Sequence, residues 1–431
     1  MGFSDLSPQN EQRLIGNTTG SLIGNVGDRL KVNTELSTSK SPQADAFGRL
    51  RVSEPIGSFE LDFGWEIPQH LVSTLGTSGG SVTYNSTTKS ADMSVTSTTN
   101  SRAVIQTRRY IRYAPARSQM VWLTGCFNGA STNVKKRIGL FDDNNGIFFE
   151  LNGSTFNVVI RSKTSGSVVD TAVAQTNWNT DKLDGTGASG IAVDVSKQQL
   201  FFMDFTWLGL GRVNFGFELA GQVYICHQFT FDNQLSAPYS QYGTLPVRTE
   251  LLNTASTSAT MHLTCAAVVT EGQHTNNSGL FQTVNTGYTY TAVLAATDQP
   301  ILALRKKAAY INMPLIINEA LAYCDTADSL IVEIYSNPSI TGGSWNDSAS
   351  GRCEYNRTMT AYSGGMLMYS AFLKGGSGAP STMSANTNAE NAQFFLGADL
   401  NGNSDILLIS MRSLTGLASV SAIINYMELS V

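Results

Sequence analysis

The sequence predicts an all-β protein, with an extended N-terminal arm followed by two antiparallel β-sandwich or jelly-roll-like domains. Three observations predict it. Apolar residues alternate with polar ones at the two-residue period of a half-buried strand. Turn residues punctuate these runs, and 39 glycines in 431 residues are too many for long helices. No stretch keeps a 3.6-residue period beyond a turn or two.

Residues 1–57 read as the arm. Two near-copies, Leu14-Ile-Gly-Asn17 and Leu22-Ile-Gly-Asn25, are followed by a second echo, Gly27-Asp-Arg-Leu-Lys-Val32 and Gly48-Arg-Leu-Arg-Val52. Short β-prone pieces separated by glycine bury too little surface to form a core of their own. Such an arm orders most readily by adding a strand to a neighbouring subunit. The candidate anchoring residues are Leu14, Ile15, Leu22, Ile23, Leu30 and Val32.

Residues 58–270 read as the first sandwich. Asn145-Gly146 in DDNNG, between 137–141 and 147–151, signals a hairpin. Phe201, Met203, Phe205 and Trp207 fall on one face of a strand, and Val213, Phe215, Phe217 and Leu219 on one face of the next. Val223, Ile225, His227, Phe229 and Phe231 extend the meander as a third apolar face. The polar stretch 271–290 reads as a linker. Residues 291–431 read as a second sandwich or jelly roll, with strands at 303–304, 315–317, 330–335, 366–370, 406–411 and 422–429.

Composition narrows function. Charged residues make up only 14%, against roughly 25% in average soluble chains, and Ser, Thr, Asn and Gly replace them. A neutral polar exterior suits contact and durability. The net charge of −5 recruits no nucleic acid. A local basic run, Arg102, Arg108, Arg109, Arg112 and Arg117, reads as a solvated strand face or a subunit contact. The five cysteines are scattered and lack C-x-x-C spacing, so packed thiols are expected. No apolar run suits a membrane span or a signal peptide, and synthesis in a cytoplasm is expected.

No motif for chemistry survives inspection. Gly185-Thr-Gly-Ala-Ser-Gly190 matches G-x-G-x-x-G, but it follows polar residues and precedes IAVDV, a predicted strand rather than a helix. The glycines therefore read as turns, and no cofactor is expected. The four histidines are far apart, and DDNNG lacks the spacing of a calcium loop, so no metal is expected. His227 reads as a hydrogen-bonded core histidine. Asp194, Asp204 and Glu218 are the acids that would serve a polysaccharide depolymerase, with Asp204 placed between two apolar residues. The structural reading of all three ranks higher, and a chain without enzymatic activity is expected. Trp345, in the loop TGGSWNDS, is the exposed aromatic candidate for glycan contact.

Four stretches, DAFGRLRVSEP (45–55), IGNVGDRLKV (23–32), residues 184–217 and YGTLPVRTEL (242–251), together resemble virion structural proteins of tailed bacteriophages. These are fibre-like proteins attached to head or tail. The resemblance covers roughly the first 270 residues; NPSITGGSW and YSGGMLMYS extend it less specifically. It implies a virion component assembled in the bacterial cytoplasm, bound through the arm to the capsid or tail and to sister subunits, with a homotrimer as the expected state. The alternatives are a module recognising host surface glycan and, behind it, the depolymerase.

Overall fold

The computed structural model describes residues 44–46, 49, 51, 53–272, 279–287, 291–294, 297–326, 328–374, 383–386 and 394–429. The six candidate anchoring residues of the arm lie outside them. The described residues are all-β, built of antiparallel sheets with only two 3-10 turns, Gln175–Asn177 and Ala308–Tyr310. Their buried apolar side chains form two large clusters, one between Phe59 and Val268 and one between Val284 and Tyr426.

The first cluster lies between an eight-stranded and a seven-stranded sheet. Across the eight-stranded sheet run Gln222–Phe229, Val213–Leu219, Gln199–Phe205, Gln119–Cys126, Ala259–Glu271, Ser90–Val95 and Ser81–Asn85. Pro55–Asp62 pairs with the second half of Ala259–Glu271. The seven-stranded sheet runs Val169–Ala174, Thr155–Ser162, Gly146–Asn152, Val134–Phe141, Val247–Asn253, Arg102–Thr107 and Val72–Thr77. Between them, Phe149 stands 5.0–5.1 Å from the rings of Phe201, Phe215 and Phe217. Each such ring contributes roughly 2–3 kcal/mol by leaving water. The predicted face of Phe201, Met203 and Phe205 is indeed the inner one.

The third strand of the meander departs from expectation. Its register slips between Phe215, opposite His227, and Gly216, opposite Ile225. The bulge inserts Cys226 and changes which side chains face inward. Cys226, Tyr224 and Phe229 join the core, while Ile225 pairs with the outward Gly216. A single apolar face from Val223 to Phe231 therefore does not form. IAVDV is not a strand either: Asp184 and Ala192 make one isolated bridge, and the loop closes over the Asp181 carboxylate. That carboxylate accepts the Leu183 and Ser189 N–H groups, and a Cβ on Gly187 would stand 1.9 Å from it. Gly211 is required for a similar reason, with the Thr206 carbonyl 2.0 Å from its missing Cβ.

The outer face of the seven-stranded sheet is built of paired charges rather than of uncharged polar side chains. Arg137 donates to Glu150 (2.7 Å) and Glu250 (2.8 Å), Arg102 reaches Glu250, Arg248 reaches Asp143 (2.6 Å), and Arg161 grips both oxygens of Asp170. Four cations meet four carboxylates, so charge is balanced. Beneath them Phe141 and Phe148 touch at 4.5 Å, roofed by the guanidinium groups of Arg137, Arg161 and Arg248 at 5.2–5.8 Å.

The second cluster lies between two six-stranded sheets. One contains Gly279–Asn285, Ala418–Leu429, Leu315–Cys324 and Met383–Asn386, with Thr291–Val293 and Phe394–Leu396 at its sides; the other contains Gln299–Lys306, Ser329–Ser336, Met366–Lys374 and Ile406–Ser413. Residues 271–290 are not simply a linker, because Gly279–Asn285 pairs with Ala418–Leu429 along its length. The alternation LFQTV inside that polar stretch is enough for an edge strand. The two sandwiches touch where Arg108 binds Asp405 at 2.6 Å and accepts the Ala398 N–H on its carbonyl. Arg109 lies between Phe59 and Phe395. These two members of the basic run thus pack against the second sandwich.

Burial alone pushes the Glu250 carboxyl up, but Arg102, Arg137 and Arg248 outweigh it and hold it below the ordinary carboxylate range. Replacing Glu250 with Ala leaves four cations to three carboxylates on this face, with Arg102 and Arg248 sharing Asp143 and Arg137 keeping Glu150. A loss of about 3–5 kcal/mol is expected, read as a lower urea midpoint. A loss below about 1 kcal/mol would show that the ionic lattice is dispensable.

Candidate functional site

The outer face of the eight-stranded sheet carries the candidate site. Because side chains alternate, Phe201, Met203 and Phe205 pointing inward force Leu200, Phe202 and Asp204 outward. The ladders set three rows across this face. Asp204 stands opposite Met120, and Met120 opposite Val269; Phe202, Trp122, Ala267 and Glu60 form the next row; Leu200, Thr124, Cys265 and Asp62 the third. Rows are about 7 Å apart.

At the first row the polypeptide leaving the arm is tied down. Asp204 is 1% exposed, and Arg51 donates to its Oδ2 at 2.6 Å. The other fork of the guanidinium donates to Glu271 at 2.5 Å. The Ser118 hydroxyl donates to Asp204 Oδ1, and the Asn214 amide approaches Oδ2 at 3.4 Å. Ser118 in turn accepts the Ala46 N–H, and Ala44, Asp45 and Ala46 are buried. A fork of five donors spanning two carboxylates is what Arg supplies and Lys does not. Residues 44–46, 49, 51 and 53–57 therefore belong to the first sandwich, and its strands begin at Pro55 rather than after an arm ending at 57. Spacing could not reveal this, since Arg51 meets Asp204 across 153 residues.

The second and third rows form a groove. Its cavity of about 340 Å³ is lined by Glu60, Leu61, Asp62, Trp122, Thr124, Leu200, Cys265, Ala266 and Ala267. Trp122 packs on Phe202 with ring centres 4.6 Å apart, so Phe202 is covered while Trp122 is half-buried. Glu60 and Asp62 are both exposed on one edge, two residues apart on Pro55–Asp62. The alternation in FELDF places them together; it is the signal that sequence reading passed over.

Other predicted residues sit elsewhere. Trp345 is half-buried, with the Arg305 guanidinium 4.0 Å over its ring and Met359 and Tyr362 in the same cluster. Pairing of Asn346–Asp347 with Cys353–Asn356 folds its loop back onto the sheet, and Arg305 covers one face of the ring. Glu218 shares the outer face with Asp204 but stands opposite Leu200, four residues along. That is about 14 Å, beyond the roughly 5–9.5 Å of paired hydrolytic carboxylates. Asp194 is spent on the backbone N–H and hydroxyl of Ser196. His227 accepts the Asn179 N–H on Nδ1, and burial pushes it down to about 4. Asp142 of DDNNG accepts N–H groups from Asn144 and Asn145 and hydroxyls from Tyr110 and Tyr242, closing the hairpin. Among the described residues no three His, Cys, Asp or Glu side chains gather as metal ligands, and no helix is long and apolar enough to cross a membrane.

No family model matches the chain, and no curated protein matches it. Solved structures do. A protein of unknown function from Shewanella oneidensis is 11% identical with a TM-score of 0.35, over 58% of this chain and 98% of the other. A putative β-glucanase from Mycobacterium abscessus is 11% identical with a TM-score of 0.35, over 49% and 100%. A Bacillus licheniformis β-glucanase is 10% identical with a TM-score of 0.31, over 51% and 99%. The expectation of a chain without enzymatic activity is corrected here. Similar solved structures include β-glucanases and glycosyl hydrolase proteins, and the exclusion is not kept.

Burial pushes the Asp204 carboxyl up to about 6, with Glu271 adding to the rise and Arg51 and Ser118 opposing it. The folded state thus holds this proton more tightly than the unfolded chain, where an aspartate titrates near about 3.9. The stability it contributes is complete below about pH 4 and lost as pH rises through about 6. Asp204→Asn should flatten that slope by on the order of 2–3 kcal/mol relative to the wild type, measured by urea unfolding at either end of the window. Parallel pH profiles for the two proteins would show that Asp204 does not titrate there.

Proposed function

We propose that this chain is a structural component of a tailed-phage virion, attached through its N-terminal arm to the capsid or tail and presenting its β-sandwiches outward. The observation that carries the reading is the clamp at the root of the arm. Arg51 joins the chain that leaves the arm to two carboxylates on separate strands of the largest sheet. Load on the arm therefore passes into a sheet rather than into a loop. The phage assignment itself rests on the sequence resemblance. The proposed partners are sister subunits, in a homotrimer, and other virion proteins, and the proposed location is the virion.

The clamp also sets where the arm is to be cut. Removing residues 1–43 should leave a protein with an unchanged melting temperature that no longer joins particles in a complementation assay. Removing residues 1–54 also takes Arg51, leaves Asp204 and Glu271 facing each other unpaired, and should cost about 3–5 kcal/mol of stability. Normal incorporation of the shorter deletion would overturn the anchoring role.

A further inference from the structure

The groove beside Trp122 is unused by the anchoring role. We propose that it is a binding site for a neutral, hydroxyl-rich oligosaccharide. The floor is apolar: the Trp122 ring, with Phe202 tilted beneath it, flanked by Leu200 and Ala267. Such a floor stands on an outward sheet face, where polar side chains are the norm. The polar groups at its rim are only partly used: Asp62 accepts the Gly64 N–H on one oxygen at 2.8 Å and keeps the other. The indole N–H groups of Trp178 and Trp207 donate to the Val173 and Ser240 carbonyls, both at 3.1 Å. Those of Trp65, Trp122 and Trp345 donate to no described group. Among the described residues Glu60 and Asp62 enter no ion pair, although the chain pairs many of its other acids.

These groups match one chemistry. A pyranose presents a face of C–H groups that lies against an aromatic ring, and hydroxyls at its rim that donate to carboxylates. The carboxylates stand along one edge of the floor, on Pro55–Asp62, as rim acceptors do. Two unpaired negative charges exclude uronates and other anionic sugars, so the ligand is neutral. The volume, near 340 Å³, lies at the small end of ligand sites and suits a short segment of a glycan chain.

The test uses the purified full chain and needs no particle, so its failure leaves the anchoring role standing. Maltohexaose, cellohexaose, laminarihexaose and mannohexaose are titrated by calorimetry and by tryptophan fluorescence, with oligogalacturonate and oligolysine alongside. At least one neutral oligosaccharide should bind and shift the emission. Trp122→Ala should weaken it at least about tenfold, and Trp345→Ala should not. Because Trp122 also covers Phe202, the exposed Glu60→Gln is the second variant; it should weaken binding with an unchanged melting temperature. Three results would overturn the proposal: no neutral oligosaccharide binding at about 1 mM, binding indifferent to both variants, or oligolysine bound in their place.

Discussion

Everything on the outer surface of the first sandwich follows from one constraint, the packing of phenylalanine rings between its two sheets. Phe149 from one sheet meets Phe201, Phe215 and Phe217 from the other. Once those side chains are inside, the two-residue period of the strand leaves no choice about their neighbours. Asp204 and Phe202 go out, and so do Trp122 and Glu60 from strands in register with them. A slip of one residue would bring the acids into the core and leave them without partners.

The two outer faces solve the problem of exposure differently. On the seven-stranded sheet, balanced arginines and carboxylates cover two phenylalanines, giving a closed and neutral lid. On the eight-stranded sheet, the Arg51 clamp closes one end, polar pairs such as Asn85–Asp92 and Gln198–His262 lie further along, and the apolar floor beside the clamp stays open. Both sandwiches also bury a lysine. Lys136 donates to the carbonyls of Phe127, Gly129 and Thr260, and Lys306 to those of Ile311 and Met313. Each loses part of its preference for the charged form to burial, and each ties loops that backbone pairing does not reach.

Much of the fold was legible because it is local. The inner faces of 201–205 and 213–217, the DDNNG hairpin and the six strand positions of the second sandwich all follow from alternation and turn chemistry. The failures share a cause. The bulge at Cys226, the strand hidden in 279–285 and the closed loop around Asp181 depend on neighbours distant in sequence. The surroundings of Trp345 were hidden for the same reason: its loop is drawn back by a pairing with 353–356 and covered by Arg305.

The sequence by itself determined the all-β class, which side of most strands is apolar, and where the chain turns, since each depends on residues within one strand or one turn. Tertiary structure alone decided which outward residues become neighbours. Arg51, Asp204 and Glu271 come from three distant segments, as do Glu60, Trp122 and Leu200. Strand order and register assemble these groups, and neither is written in any local pattern, because hydrogen-bonded ladders accept many partners and only the packing of whole sheets selects one.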